Sequence, residues 1–241
     1  TLVNPTAAKI AVWSKYVILA GTGGIGKSMM LRHLLLQAIE NYDASGIVPI
    51  FIPLKDFDDT TPTAQDFIYR KVNSYGTGIT QQELLDLLNE GKCLLLFDGL
   101  DEINTRFASL FEQYLEAFID CFPANQFIIS SRPNRTFVSY NRFSVLWVRP
   151  FTKAQALELI DKLEFRPDDP TIKSKFRKEL DASLFVSHRE FAENPLLLTI
   201  MLMTFEQFAE VPSKMHIFYR EAFVVLSQKH DASKGAYKRV L

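Results

Sequence analysis

The sequence predicts an α/β fold, a parallel sheet flanked by helices and followed by a small all-helical part. Three observations carry that expectation. The first is a glycine-rich segment, Gly21 to Ser28, set between a strand-like apolar run and a helical pattern. The second is the apolar run Cys93-Leu94-Leu95-Leu96-Phe97, closed by Asp98-Gly99-Leu100-Asp101-Glu102. A continuous run without polar alternation reads as a strand covered on both faces, as in a parallel sheet. The third is the loss of any strand pattern beyond Pro150.

Taken in order, Tyr16-Val17-Ile18-Leu19-Ala20 reads as the first strand. Ser28 to Glu40 reads as a helix, with Met30, Leu31, Leu34, Leu35, Ala38 and Ile39 at helical spacing. Ile47 to Leu54 reads as a second strand. Thr80-Gln81-Gln82-Glu83 has the form of a capping box, starting a helix that carries Leu84, Leu85, Leu87 and Leu88 and ends near Gly91. The acid-tipped strand follows. Phe107, Leu110, Phe111, Tyr114, Leu115 and Phe118 then mark one face of a long amphipathic helix. Gln126 to Ser131 and Phe143 to Val148 read as the last two strands. Such βα alternation means a parallel sheet with helices on both sides.

The second part is expected to be helical. Thr152 caps a helix with Ala156, Leu159, Ile160 and Leu163 inward. Asn194 caps another, with Pro195 in its first turn and Leu196 to Phe208 as its apolar body. A last helix is expected from about His216 to His230. The division is therefore drawn as residues 1–150 and 151–241.

Composition narrows the function classes. At 241 residues with 47% hydrophobic residues, the chain can bury a sizeable core. A net charge of −1 gives no support for a nucleic-acid surface. Cys93 and Cys121 both lie in apolar segments and read as reduced core residues of a cytoplasmic protein. No apolar stretch approaches the roughly 20 residues of a membrane span, and no secretory signal is found. The first residue is Thr1 rather than Met, so the chain reads as a piece of a longer protein. His33, His188, His216 and His230 show no metal-ligand spacing.

The glycine-rich segment carries the chemistry. Gly21-Thr22-Gly23-Gly24-Ile25-Gly26-Lys27-Ser28 has two glycines bracketing four residues before Gly-Lys-Ser's last two positions, the phosphate-loop pattern, in its strand-to-helix context. Glycines let the backbone turn its N–H groups toward phosphate oxygens at a helix amino terminus. Lys27 is expected to reach the β- and γ-phosphates and Ser28 to ligate Mg2+. Gly21 to Ser28, with Met29 adjoining, are thus the expected nucleotide contacts, and the fold is a P-loop NTPase. Asp98, Asp101 and Glu102 reach the carboxyl edge of the sheet, where α/β proteins bind ligands. Clustered acids there call for a cation among them, and Mg2+ carried by ATP or ADP is the expected one. The other reading of the acids is the start of a solvated helix, whose first turn favours Asp and Glu.

The phosphate loop, Leu94-Leu95-Leu96-Phe97-Asp98-Gly99-Leu100-Asp101-Glu102 and Ile128-Ile129-Ser130-Ser131-Arg132-Pro133 together resemble a NACHT module of the STAND class of signalling ATPases. A tiny residue after the magnesium aspartate, here Gly99, followed by paired acids, distinguishes that family from other P-loop proteins. The second part resembles the family's first helical domain. Asn194-Pro195-Leu196-Leu197-Leu198 is similar to the segment whose proline packs on adenine, and Leu2-Val3 is too short a match to use. Phe218-Tyr219-Arg220-Glu221-Ala222-Phe223 and His230-Asp231-Ala232-Ser233-Lys234-Gly235 are more similar to bacterial antiphage members than to animal ones.

The resemblance implies roles. Ser28 and Asp98 would hold Mg2+, and Asp101 or Glu102 would polarise the attacking water, the two remaining rivals. Arg132 would read the γ-phosphate, with a salt bridge to a neighbouring acid as its other reading. Pro195 would touch adenine or simply start its helix. The family's sensing histidine belongs to a winged-helix domain expected beyond this chain, so no histidine here inherits that role. Arg135 and Arg142 are read as solvated rather than as fingers acting in trans. Lys173, Lys175, Arg177 and Lys178 are read as the wet face of a helix.

Two functions follow. In one, the chain is a nucleotide-controlled switch. ADP holds it closed, and ATP drives self-oligomerisation after a trigger, of phage origin in the bacterial reading, is sensed by domains outside it. In the other, it is a turnover P-loop enzyme, a kinase or an ATPase motor. The sequence lacks the guanine-reading Asn-Lys-x-Asp, the Leu-Ser-Gly-Gly-Gln of transporter ATPases and an arginine-rich lid. Those absences, with the helical part after the last strand, favour the switch.

Overall fold

The computed structural model of the chain describes residues 6–133, 137–208 and 220. Leu2-Val3, Arg135 and, apart from residue 220, the helix expected over 216–230 with His216 and His230 lie outside the described residues. Packing divides the chain into two units between Val148 and Arg149.

In the first unit the order is α1 (Ala7–Trp13), β1 (Tyr16–Ala20), α2 (Lys27–Glu40), a short α3 (Tyr42–Ser45) and β2 (Val48–Pro53). Then come α4 (Ala64–Ser74), α5 (Gln81–Asn89), β3 (Cys93–Asp98), α6 (Ala108–Cys121), β4 (Gln126–Ser131) and β5 (Ser144–Trp147). All five strands are parallel, in the order β2-β3-β4-β1-β5. The expected fold class is the one found. β2 and β5 are each shorter than expected. β2 gives way to a 3-10 turn at Leu54–Asp56, and β5 is confined to the residues that pair with β1.

The pleat sorts the apolar strands into two layers, because successive side chains point to opposite faces. Val17, Leu19, Leu94, Leu96 and Ile128 share one face with Leu31, Leu34 and Ala38 of α2 and Ile10 of α1. Ile18, Leu95, Phe97, Phe127 and Ile129 share the other with Phe67 of α4, Leu84 and Leu88 of α5 and Phe111, Leu115 and Phe118 of α6. The fully buried β3 is what an unalternating run requires. Ile39, expected at the inward spacing of α2, is instead exposed.

Capping explains most helix starts. The Thr80–Glu83 box forms in both directions. α1 and α4 escape sequence reading, although α4 buries Phe67, Ile68 and Val72 from one face, and each is capped by a threonine, Thr6 and Thr63. Asn125, fully buried, ties β3 to the helices beside it. Its Oδ1 accepts from Cys93 N (2.9 Å), and its Nδ2 donates to Leu88 O (2.8 Å) and Phe122 O (3.1 Å). The two cysteines part company. Burial pushes the Cys93 thiol up to about 12, whereas Cys121, the last residue of α6, is exposed rather than core.

The second unit is helical throughout its described residues. It contains α7 (Lys153–Lys162), α8 (Pro170–Glu179), a π-helical turn Leu180–Leu184, α9 (Phe185–Ser187), α10 (Arg189–Ala192) and α11 (Pro195–Phe208). Ala156, Ile160, Phe176, Leu180, Phe191, Leu198, Met201, Leu202 and Phe205 form its core. Thr152 and Gln155 make a second capping box. The basic residues of α8 are not all a wet face. Lys173 Nζ donates to the last carbonyls of α7, Asp161 O (2.8 Å) and Leu163 O (2.7 Å), and Arg177 pairs with Asp161 (2.6 Å). Cations suit a helix carboxyl end.

Candidate nucleotide site

The site grows from the ends of three adjacent strands, β1, β4 and β3. β1 ends at Ala20 and the loop follows at once, its first residue anchored by Gly21 N–H to Ser131 O (3.2 Å). Gly26 is the residue before α2, at φ 102°, in the left-handed region open to glycine. It contributes no side chain, and among the described residues no side chain accepts from the first N–H groups of α2. That is the cradle an anion needs at a helix amino terminus. Met29, next in α2, is 64% exposed.

Lys27 folds back on the loop. Its Nζ donates to Gly21 O (2.7 Å) and Thr22 O (2.9 Å). Burial lowers its pKa, opposed by the field of Asp101, reinforced by Arg132, and opposed again by Asp98 and Glu102. An ammonium held near three carboxylates and short of water is poised for a further anionic partner.

Ser28 and Asp98 meet although 70 residues separate them, Ser28 Oγ donating to Asp98 Oδ1 at 2.8 Å. Ser130 Oγ donates to the same oxygen at 2.6 Å. This donor set fits Mg2+, which takes one or two carboxylates and completes its shell with water and phosphate oxygens. The three acids themselves do not form a chelate. Among the described residues no group of three or more His, Cys, Asp or Glu is arranged to hold a metal ion.

Asp101 and Glu102 sit on a 3-10 turn, Leu100–Glu102, and the long helix starts only at Ala108. The acids therefore do not open that helix. Asp101, its side chain 10% exposed, accepts from Arg132 N (2.9 Å) through Oδ1 and from Arg132 Nε (3.1 Å) through Oδ2. The salt-bridge reading of Arg132 is thus realised, and its partner is Asp101. Glu102 is exposed, its N–H donates to Gly99 O (2.9 Å), and its carboxylate makes no hydrogen bond or ion pair among the described residues. Gly99, at φ 85°, makes room for it, since a Cβ there would lie 2.9 Å from Glu102 Cδ. The guanidinium of Arg132 reaches across to Gly23, 3.7 Å from where a Cβ would stand.

Residues outside this cluster find other work. Arg142 is exposed, as expected, and pairs there with Asp120 (2.5 Å) and Glu116 (3.5 Å) on α6. Pro195 occupies the first position of α11 behind Asn194, whose Oδ1 accepts from Leu196 N (3.1 Å) and Leu197 N (3.3 Å). Ser130 is the residue that sequence reasoning passed over. Its signal was a hydroxyl closing an apolar strand at the height of Asp98.

A parallel sheet with a glycine loop after β1, a lysine and serine opening α2 and an aspartate ending β3 defines a P-loop NTPase. The sequence matches the NACHT domain family over residues 15–166, and the chain belongs to that family. No curated protein matches it. Among solved structures it is similar to Drosophila ORC bound to DNA, at 11% identity and TM-score 0.41 over 94% of this chain and 64% of that one. It is also similar to C. elegans PCH-2, at 12% and 0.45 over 88% and 62%. Domain III of the Thermotoga maritima replication initiation protein DnaA matches at 14% and 0.45 over 92% and 88%. The chain spans a little under two thirds of the length of the first two.

Proposed function

We propose that the chain binds ATP and ADP with Mg2+ at the phosphate loop, hydrolyses ATP slowly, and uses the bound nucleotide as a switch for self-association. The observation that carries this reading is the meeting of Ser28 with Asp98 at 2.8 Å beside Lys27, at an uncapped helix amino terminus. Bound Mg2+ would supply charge neutralisation at the phosphates. The chain's residues divide the rest. The N–H groups from Gly21 to Met29 hold phosphate oxygens, Lys27 gives up its loop carbonyls for them, and Ser28 and Asp98 hold the ion.

Between the two acids, their partners favour Glu102 for the water. Asp101 has both oxygens engaged by Arg132 and serves to aim that guanidinium toward the loop. Glu102, unpartnered and exposed, is the carboxylate left to polarise water. Gly99 fits this reading, because a Cβ there would crowd the Glu102 carboxyl. Pro195 at the adenine, a cytoplasmic setting, antiviral defence and a phage-derived trigger sensed by other domains rest on the resemblance to bacterial NACHT proteins.

The test is a pair of isosteric changes. Glu102→Gln is expected to lower ATP turnover on the order of 100-fold, the upper part of the range for a general base, while nucleotide stays bound. Asp101→Asn is expected to weaken discrimination between ATP and ADP. Equal turnover in Glu102→Gln and wild type would return the water to Asp101. Rapid multiple turnover of the wild type on a small-molecule acceptor would replace the switch with an enzyme.

A further inference from the structure

Asp98 is held in a way that the roles of Ser28 and Lys27 do not account for. Both hydroxyls that reach it, Ser28 Oγ at 2.8 Å and Ser130 Oγ at 2.6 Å, go to the same oxygen, Oδ1. Oδ2 makes no hydrogen bond among the described residues. Ser130 is 1% exposed, and its oxygen also accepts from the N–H of Gly99 at 2.8 Å. A hydroxyl has one hydrogen. With Gly99 N–H as its donor, that hydrogen is committed to Asp98. The result is a closed ring from Asp98 through Ser130 back to the peptide that follows Asp98, which ties the carboxylate to its own backbone.

Sheet topology explains why this position alone serves. β4 lies between β1 and β3, so its end stands between the phosphate loop and Asp98. Ser130 pairs with Leu19 across to β1, and Asp98 lies one step beyond the Phe97–Ile129 rung. By alternation Ser130 continues the face of Ile128, as Asp98 continues that of Leu96, and this is the face covered by α2. Ser131, equally buried, points the other way and donates to Arg132 O at 3.1 Å.

Resting on the nucleotide reading above, we propose that Ser130 is a positioning residue which locks Asp98 by Oδ1 and so presents Oδ2 to the Mg2+ of the bound nucleotide. Hydrogen bonds that orient a ligating carboxylate set metal affinity, and their loss costs roughly 10–100-fold. The experiment is equilibrium binding of a fluorescent ADP analogue to the full chain, titrated with Mg2+ and repeated in chelator. Ser130→Ala is expected to raise the half-saturating Mg2+ concentration about tenfold or more, with affinity in chelator unchanged. Ser130→Thr, which keeps the hydroxyl, restores the wild-type value. Ser131→Ala, equally buried on the opposite face, leaves it unchanged, which separates positioning from a general loss of buried polarity. Should Ser130→Ala not fold, Ser130→Cys carries the test, its weaker thiol donor giving an intermediate rise. A wild-type Mg2+ dependence in Ser130→Ala, or in Ser130→Cys where that variant stands in, overturns the proposal and leaves the nucleotide reading standing. Binding by the wild type that ignores Mg2+ overturns both.

Discussion

Two helices of this chain begin in opposite ways. α11 satisfies itself: Asn194 Oδ1 takes two of its first N–H groups, and Pro195 removes a third by having none. α2 begins behind Gly26, with no side chain to take any of them. Both starts are legible as local chemistry, and the difference between them separates a helix whose first N–H groups are met by its own cap from one whose first N–H groups are open to a ligand. The acids obey the same contrast. Asp169 and Glu83 spend their charge on nearby Thr171 and Thr80, which hold both carboxyls below the usual range. Asp98 instead reaches hydroxyls on two other elements.

The strongest way to break the contrast is at Lys27. Lys27→Ala removes the loop's own cation, and nucleotide affinity is expected to fall by roughly 100-fold, the size of a charge-assisted hydrogen bond lost. Nucleotide retained through purification, measured by chromatography of the denatured protein, checks it. Unchanged retention would mean that α2 is no more a ligand site than α11.

Next in size is Gly26. At φ 102°, with nothing within 4 Å of a Cβ placed there, Gly26→Ala meets only backbone strain. The expected cost is about 1–2 kcal/mol, read by chemical denaturation without nucleotide. Gly26→Asn, a residue that tolerates this region, is expected to cost less. Equal losses would point to a contact rather than to conformation. On the other helix, Asn194→Ala is expected to cost about 1 kcal/mol and to leave nucleotide retention as it was. Loss of retention there would show that the start of α11 does more than cap.

How much of this the sequence disclosed depends on the kind of force involved. Cys93 to Phe97, the loop from Gly21 and the Thr80 box declare themselves because period, spacing and local hydrogen bonding are properties of consecutive residues. α1 did not, since a short helix depends on what covers it, whereas α4 carried its signal in the spacing of Phe67, Ile68 and Val72 and in its Thr63 cap. Cys121 misled for a related reason: an apolar neighbourhood in sequence does not say on which side of a helix end a residue falls. At the site, Ser28 and Asp98 were legible from motif. The choice between Asp101 and Glu102, and the part of Ser130, were not. Each proposal rests on which partner stands across a strand gap, and that is set by the order β3-β4-β1, which no local pattern carries.

The smallest effect tests what an uncapped, ligand-seeking start costs the protein when nothing is bound. Burial lowers the pKa of Lys27 against the pull of Asp101, Asp98 and Glu102. A lysine whose pKa is lower folded than unfolded binds its proton less tightly in the folded state. Its charge therefore opposes folding fully below the folded value, and the penalty fades as pH rises toward the ordinary 10.5. Lys27→Met keeps the stem and removes the charge. Without nucleotide its melting midpoint at pH 7 is expected to equal or slightly exceed that of the wild type, with the gap narrowing toward pH 10. With ADP and Mg2+ the order reverses, because only the wild type gains from the ligand. A variant less stable than wild type at pH 7 without nucleotide would show that the bonds to Gly21 O and Thr22 O outweigh the burial of the charge. The loop of α2 would then be self-satisfied after all, as the start of α11 is.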